Sequence, residues 1–451
     1  MRRSAARITG GTTAALLALA LPCLSPRGAA AAEGPPPDPP PQGPPPAGYA
    51  LTLDQAVQLT LTRNERAKIS DLNVAIADAA VEKAFATFMP ALTASASGTQ
   101  HATAVKPPSN SGQAALTVNL PLLNASAFPL YAQARRLADA QRAQNTDDKR
   151  LLGYSAASAF FAVLNAQDIV TAALRQLDNA RANLASTQAR TQAALSSTND
   201  ATKAQVDMAG SQREVEIDKG VLENALVQLA YLVYVPIPQS LVPPAPTLDA
   251  AAKGLTSLEN LVRFAADHRP DVQVSRYQSM AAHDFADEPL LRLVPTLGVQ
   301  GQVLETTADS QLTGRHDDET LTGTATWTIF DNGGRYADKH SRDAQADISD
   351  LNYRLLLRTV DEQVHGAAVL LASAQSAFQV ATDTVKYARQ NVDETEILYK
   401  QGLATALELV TANDSRFTAE VNLATAEFTM AQAYLSLRQA MGLDVLGTEL
   451  K

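Results

Sequence analysis

The ten residues 321–330, LTGTATWTIF, alternate between two kinds of side chain. Apolar or small residues occupy the odd positions from 321 to 329, and threonine occupies every even position from 322 to 328. A period of two is typical of a β-strand, whose successive side chains point to opposite faces. One face of this strand is therefore apolar, and the other is polar but uncharged. Such a strand suits a membrane barrel with lipid outside and water inside, and it equally suits a half-buried hairpin of a soluble domain.

Three other segments have a similar pattern, and we predict that the four strands form two hairpins. Residues 297–303 also alternate and are followed by a polar loop, while residues 91–100 and 116–120 form a weaker pair around a second polar loop. We therefore predict one hairpin at about 91–123 and another at about 296–330. Four strands cannot close around water, because bacterial barrels need at least about eight strands and open edges are not tolerated in hydrocarbon. If these strands cross a membrane, several chains must share one barrel.

Long tracts without proline surround the hairpins. No proline occurs between Pro129 and Pro236 or after Pro295, and a proline in a helix interior costs about 3 kcal/mol. The tracts Tyr131–Ala194 and Tyr336–Gln401 each predict one helix roughly 100 Å long, at about 1.5 Å per residue. Apolar residues recur every three or four positions along both tracts, so these helices should pack sideways on other helices. The fold class is thus mainly α, with long antiparallel helices and a β portion.

The chain also repeats itself. MPAL at 89–92 recurs as VPTL at 294–297, and ALSSTNDATKA at 194–204 aligns with GLATALELVTA at 402–412, in the same order and at nearly the same spacing. We interpret this as an internal tandem duplication. The predicted first repeat is 49–240, a linker covers 241–254, and the second repeat is 255–445. Each repeat is predicted to contain a helix, a hairpin, a long helix, a tip (194–204 or 402–412) and a shorter helix.

The first residues indicate export. Residues 1–32 begin with arginines, continue with a short apolar run and end with small residues, which is typical of a signal peptide. Residues 33–48 form a proline-rich linker that favours extended polyproline geometry. The single cysteine, Cys23, lies inside the signal, and the sequence leaves open whether it is lipidated.

Composition excludes several classes of function. The net charge is −10, and removal of the four arginines within residues 1–32 takes it to −14, which disfavours nucleic-acid binding. One cysteine and six histidines provide neither a disulfide framework nor a multi-cysteine metal site. No P-loop, GxSxG or HExxH motif is present. We therefore expect no enzymatic activity, no cofactor and no metal.

Several motifs carry a family resemblance. The pieces are LTLDQAVQLTLTRNERAKIS at 51–70, FMPALTASASG at 88–98, WTIFDNGGRYADKH at 327–340, YKQGLATALELVTAND at 399–414 and YLSLRQAMGL at 434–443. Together they resemble the TolC-like outer-membrane efflux proteins, the exit ducts of tripartite pumps and type I secretion systems.

The resemblance implies a homotrimer in the bacterial outer membrane with a periplasmic extension. Three chains would form a twelve-stranded β-barrel in outer-membrane lipid, continued by an α-barrel across the periplasm. The implied partners are a periplasmic adaptor protein and an inner-membrane transporter. The sequence determines neither the exported substrate nor the type of pump. The alternative is a periplasmic coiled-coil scaffold without a pore.

The two tips contain the candidate functional residues. Gly402 supplies the backbone freedom that a tight helix–helix turn needs, and the pairs Thr405/Glu408 and Ser197/Asp200 have the spacing of capping boxes. We expect the segments containing Ser197, Gly402, Leu403 and Thr405 to form the tip turns and to contact the adaptor.

The resemblance assigns gating roles to three residues at or beside the tips, namely Glu408, Asp200 and Tyr399. Glu408 falls on the family's ring of acidic residues in the closed pore. Thr411 replaces the acid of a second ring, so the sequence does not determine whether the gate has one acidic ring or two. Tyr399 and Asp200 fall on the positions of a tyrosine–aspartate bond that constricts the pore, while Ala404 replaces an arginine that makes a further link. The strand-to-helix turn is predicted at Phe330, Asp331, Gly333 and Gly334.

Overall fold

The fold was obtained as a computed structural model, which describes residues 50–99, 111–194, 196–237, 241–253, 257–306 and 317–447. The predicted signal peptide 1–32 and the proline-rich linker 33–48 lie outside the described residues, as do the loops of both hairpins and Leu195 of the first tip.

The described chain is mainly helical, and its order of elements occurs twice. The first half comprises α1 (Leu53–Arg63), α2 (Glu65–Ala86), β1 (Ala91–Thr99), β2 (Ser111–Leu123), α3 (Ala127–Gln192) and α4 (Thr198–Val233). A short helix, α5 (Ala245–Ala252), follows. The second half comprises α6 (Leu258–His268), α7 (Pro270–Leu291), β3 (Thr296–Thr306), β4 (Asp317–Thr326), α8 (Gly334–Lys400) and α9 (Ala406–Ala440). Two helices, a hairpin and two more helices thus recur. The single helix predicted before each hairpin is divided in two, because Asn64 and Arg269 have extended backbone.

The four strands form one antiparallel sheet in the order β1-β2-β3-β4. Its register keeps the two faces chemically distinct. One row across the sheet joins Leu92, Val118, Gly301 and Leu321, and the neighbouring row joins Thr93, Thr117, Gln302 and Thr320. In these central rows the alternation read from residues 321–330 extends across all four strands as one apolar and one polar face, whereas nearer the loops Glu305 and Glu319 stand on the apolar side.

The predicted end of the last strand was wrong by four residues. β4 ends at Thr326, which pairs with Thr296, the first residue of β3, so that no partner strand remains for residues 327–330. Trp327 instead donates its indole N–H to the Leu293 carbonyl oxygen at 2.9 Å. Alternation alone predicts a strand wherever it persists, whereas the ladder ends where the neighbouring strand begins.

The two longest helices contain 66 and 67 residues, which corresponds to roughly 100 Å each. Helix α3 begins at Ala127, four residues before the predicted start, and so includes Pro129 in its first turn. Proline is tolerated there because the first N–H groups of a helix have no intrahelical acceptor.

Two apolar clusters hold the helices together. In the first, Phe160 and Val163 of α3 pack with Val57 of α1 and with Leu229 and Val233 of α4, all essentially inaccessible to solvent. The second joins side chains of α6 to α9, including the buried residues Val360, Val364, Leu371 and Leu437. Burial of a large aliphatic side chain contributes about 1.5–3 kcal/mol, so these clusters are the main stabilising contacts between the helices.

The predicted linker 241–254 was wrong in part, since it contains α5. Alanines and a proline in the first turn favour this helix, and Ala251 packs into the second cluster. The segment therefore belongs to the folded body.

Candidate functional site at the helix tips

The first tip joins α3 to α4. Ala194, just after α3, has a positive φ of 60°, and Ser197 caps α4. The Asp200 N–H donates to Ser197 Oγ at 3.2 Å, and the Ser197 N–H donates to Asp200 Oδ2 at 3.2 Å. This reciprocal capping box satisfies N–H groups that the helix itself leaves without acceptors.

The second tip joins α8 to α9 and closes with a Schellman motif. The N–H of Gly402 donates to the Tyr399 carbonyl at 3.1 Å, and that of Leu403 donates to the Leu398 carbonyl at 2.9 Å. Gly402 has a φ of 77°, which an L side chain rarely adopts, so the glycine is required by the turn.

A second capping box starts α9. The Glu408 N–H donates to Thr405 Oγ1 at 3.2 Å, and Glu408 Oε2 accepts from the Thr405 N–H at 2.6 Å and from its hydroxyl at 3.0 Å. These hydrogen bonds stabilise the carboxylate and lower the pKa of Glu408 below its ordinary value. Glu408 is thus held ionised at the tip.

The strand-to-helix turn is built around one aspartate. Asp331 accepts hydrogen bonds from the N–H of Gly333 at 3.3 Å and from both the N–H and Nε of Arg335 at 3.0 Å. Partial desolvation opposes ionisation of this carboxyl, but the hydrogen bonds from Arg335 outweigh it and lower the pKa of Asp331. Gly333 has a φ of 85°, Gly334 begins α8, and Phe330 is exposed beside the sheet.

Arg190 joins the two tips within the chain. Its guanidinium carbon lies 4.2 Å from the centre of the Tyr399 ring, and Nη2 donates to the Tyr399 carbonyl at 3.3 Å. Tyr399 is buried under this contact. Arg190 lies in the last turn of α3, where cations favour the helix dipole, but nothing local in the sequence indicates a partner 209 residues away.

The predicted Tyr399–Asp200 hydrogen bond is not formed within this chain. Among the described residues, the Asp200 carboxylate accepts from its own capping serine, while the Tyr399 ring is covered by Arg190. The structure therefore brings Tyr399 to Arg190 and keeps Asp200 in its helix cap.

A family match extends over most of the chain. Residues 56–233 and 261–443 match the model of the outer membrane efflux protein family, so the two matched segments together cover well over half of the sequence. The chain belongs to the outer membrane efflux protein family. This efflux protein is therefore located in the outer membrane, and the scaffold without a pore is not supported.

Solved outer-membrane channels share the fold of the efflux protein. It is similar to CusC, with a TM-score of 0.76 and 17% sequence identity over 86% of this chain and 92% of that one. Campylobacter jejuni CmeC gives 0.72 and 16%, covering 86% and 85%. The open state of Neisseria gonorrhoeae MtrE gives 0.74 and 19%, covering 86% and 88%. No curated protein matches the chain significantly in sequence.

A polar cluster that the sequence did not reveal lies nearer the middle of the helices. Gln176 of α3 is buried and donates to Asp414 of α9 at 2.7 Å, while its own Oε1 has no partner among the described residues. Burial raises the pKa of Asp207 in α4, and the charge of Asp414 raises it further. Burial likewise raises the pKa of Asp414, partly offset by the bond from Gln176. The efflux protein thus carries two partly buried carboxylates, one on α4 and one on α9, that resist ionisation.

Proposed function

We propose that the efflux protein works as a passive trimeric duct, the outer-membrane exit of a tripartite efflux or type I secretion system. The observation that carries the proposal is the sheet with two chemically different faces and two free edges. Within the described residues, β1 pairs only with β2 and β4 pairs only with β3. Joining β4 of one copy to β1 of the next, three times, gives a closed barrel of twelve strands without an edge.

The apolar face of the sheet supports contact with lipid. Leu92 is 64% exposed and Leu321 is 80% exposed in the single chain. Beyond the strand, Trp327, Ile329 and Phe330 are also exposed, as expected for residues at the boundary between lipid and water. The opposite face of threonine, asparagine and glutamine would line the aqueous lumen.

The long helices are the competing candidates for membrane spans. Both α3 and α8 contain an 18-residue window that is long and apolar enough to cross a membrane by length and composition. A span needs only about 20 residues, however, and these helices have 66 and 67 residues with apolar faces that pack on other helices. We therefore assign the membrane to the sheet and the periplasm to the helices.

The tips are the proposed gate and the proposed adaptor contact. In a trimer, three ionised Glu408 carboxylates would lie near the axis, where they attract cations and repel one another. Leu403 is 73% exposed and Leu407 is 68% exposed, which leaves apolar surface beside Ser197, Gly402 and Thr405 for a helical partner. Opening would be driven by the adaptor and the inner-membrane transporter.

The duct is tested on the mature protein purified from outer membranes in detergent. We expect a trimer by light scattering, a trimer band that resists dissociation without heating, and single-channel conductance in planar bilayers. A monomer without affinity for detergent would overturn the proposal, and trimers without conductance would indicate a scaffold. Photocrosslinking from Leu403 in cells should capture a periplasmic adaptor, with crosslinking from the lumen-facing Thr322 as the control.

A further inference from the structure

The apolar face of the sheet ends before the strands do. Glu319 pairs with Val303, and the next row on this face joins Glu305 to Asp317. These three acidic residues are exposed. Charged side chains are costly in hydrocarbon and are tolerated at its boundary, so the row of Glu319 marks the edge of the hydrocarbon on the side of the loops.

The part of the sheet that remains for lipid is short. The first row on the apolar face pairs Leu297 with Ala325, and Glu319 lies six residues along β4 from Ala325. Six residues span about 20 Å at about 3.3 Å each, and a strand tilt of about 40° leaves about 15 Å of height. Since the apolar band of an outer-membrane barrel is about 25 Å tall, about 10 Å of hydrocarbon must be covered by residues beyond the sheet, on the side of the helices.

An apolar cluster lies at the helix ends beside the sheet in the first repeat. Phe88, just after α2, packs its ring against those of Phe128 and Tyr131 of α3, with ring centres 5.1 and 6.2 Å apart. Phe85 and Phe128 are nevertheless 45% and 57% exposed, and Met89 is also exposed. We call these five residues the collar. Exposed apolar patches of this kind mark a surface that contacts an apolar partner.

The ends of α2 and α3 also satisfy their backbone without water. At the start of α3, the N–H groups of Ala127 and Phe128 donate to carbonyls of the preceding turn at 3.1 and 3.3 Å, and Pro129 has no N–H. At the end of α2, the N–H groups of residues 87–89 donate to the carbonyls of residues 84–86. Since a backbone group without a partner costs several kcal/mol in hydrocarbon, this closure suits contact with lipid.

The start of α3 has the height that the sheet lacks. Residues 127–134 contain no charged side chain, and the first charge is that of Arg135. Arg135 lies eight residues beyond Ala127, which corresponds to about 12 Å along the helix. It is exposed, with its guanidinium carbon 6.0 Å from the centre of the Tyr131 ring. An arginine at this position can meet the lipid phosphates, as basic side chains do at the edge of a bilayer.

The second repeat is charged at the equivalent place. The alignment of MPAL with VPTL makes Arg292, the C-cap of α7, equivalent to Thr87. Arg292 pairs with Glu288 at 2.8 Å and with Asp338 of α8 at 2.7 Å. Ion-paired side chains thus lie beside the sheet where the first repeat has the collar.

We propose that the collar contacts lipid acyl chains of the outer membrane, in the leaflet next to the periplasm. Hydrocarbon extends beyond the sheet along the ends of α2 and α3, in three sectors of the trimer, and stops at the sheet beside α7 and α8. The proposal rests on the proposed function, in which the apolar face of the sheet contacts lipid. It names the surface that sets the depth of the protein in the membrane.

The test uses single-tryptophan variants of the mature protein in phosphatidylcholine vesicles. Trp327 is the only tryptophan, so Trp327→Phe gives a background without tryptophan emission. Phe128→Trp and Phe85→Trp then report on the collar, and Leu297→Trp reports on the sheet. Bromine atoms on acyl chains quench a tryptophan that they touch. We expect bromination near the headgroup to reduce the emission of both collar variants about twofold, and bromination near the chain ends to reduce that of Leu297→Trp by a similar factor.

Leu290→Trp is the matched control, because Leu290 is exposed and is equivalent to Phe85 in the second repeat. Its emission should change little with either brominated lipid. Equal quenching of Leu290→Trp and Phe85→Trp would overturn the restriction of lipid to the first repeat, and with it the proposal.

Two further outcomes separate the proposal from the duct itself. If water or a neighbouring copy covers the collar, Phe128→Trp and Phe85→Trp stay unquenched while Leu297→Trp is quenched, which overturns the proposal alone. Absence of quenching at Leu297→Trp as well would overturn the lipid contact of the sheet, and therefore the proposed function too.

Discussion

The guanidinium of Arg190 stacks on the ring of Tyr399 at 4.2 Å and donates to the carbonyl of the same residue at 3.3 Å. One side chain thereby ties the last turn of α3 to the last turn of α8, next to both tips. A cation–π contact of this kind contributes about 0.5–2 kcal/mol, depending on how far it is desolvated.

Removal of this contact should loosen the entrance. We expect Arg190→Ala to raise the conductance or open probability of single channels in planar bilayers, and Tyr399→Leu to do the same. Arg181→Ala is the control, because Arg181 lies on the same helix and pairs only with the exposed Asp178 among the described residues.

The phenylalanine variant separates two hypotheses. Tyr399→Phe keeps the ring face and the carbonyl, so channels should behave as in the unmodified protein if Arg190 makes the constricting contact. Increased conductance of Tyr399→Phe would instead indicate that the tyrosine hydroxyl bonds Asp200 in the assembled trimer.

The charge of Glu408 should make the pore prefer cations. Glu408→Gln keeps a capping side chain but removes the charge. The reversal potential in a potassium chloride gradient should therefore shift towards zero, the value for a pore without ion selectivity. Glu362→Gln, an exposed acid in the middle of α8, should leave it unchanged.

The selectivity of the pore should also depend on pH in a defined direction. The pKa of Glu408 is lowered below its ordinary 4.5, so selectivity should persist at pH 4.5 and decline only in more acidic solution. The contribution of ionised Glu408 to folding stability depends on pH in the same direction. It is present above the pKa of the unfolded chain and is lost as the pH falls through the pKa of the folded chain. Loss of selectivity already at pH 6 would contradict the assignment.

The carboxylates of Asp207 and Asp414 should show the opposite dependence. Their pKa values are raised by burial, so the folded state binds more protons than the unfolded state just above pH 3.8, and stability falls as the pH rises through the folded pKa values. Asp207→Asn should therefore raise the apparent unfolding temperature at pH 8 more than at pH 4. The gain is roughly 0.5 kcal/mol, because both carboxylates are partly exposed. Asp178→Asn, an exposed acid, is the control, and an equal effect at both pH values would contradict the prediction.

A charge on the apolar face of the sheet should prevent insertion. Leu321→Arg places a cation towards lipid at a cost of about 2–4 kcal/mol near the bilayer midplane, whereas Thr322→Arg places it on the lumen face. We expect heat-resistant trimers in outer-membrane fractions to be depleted for the first variant and retained for the second. Depletion in both would refute the assignment of the faces.

Gly442 should be the more sensitive of two glycines near the end of α9. Both Gly442 and Gly447 have φ values near 77°, so an alanine costs about 1–2 kcal/mol at either position. At Gly442 a Cβ would also lie 2.8 Å from Arg269 Cα, whereas at Gly447 the nearest atom is the end of the Arg438 side chain at 3.5 Å. Gly442→Ala should therefore lower the unfolding temperature more than Gly447→Ala does. Equal effects would mean that the backbone at Arg269 shifts to accommodate the added Cβ, which contradicts the prediction.

The features that the sequence predicted are local ones. The alternation of residues 321–330 predicted two faces, and the spacings Ser197/Asp200 and Thr405/Glu408 predicted capping boxes that the structure contains. A period of two and a bond between residues three apart are consequences of backbone geometry, so they need no knowledge of the rest of the chain.

Contacts between distant segments could not be predicted in this way. Thr296 decides where β4 ends, Arg190 rather than Asp200 meets Tyr399, and the buried oxygens of Asn183 and Thr187 have no hydrogen-bond partner among the described residues. The elements, their repetition and their polarity follow from local backbone preferences, so they can be predicted from the order of residues. Which side chains meet depends on how the helices pack, because helices of more than sixty residues bring together positions some two hundred residues apart.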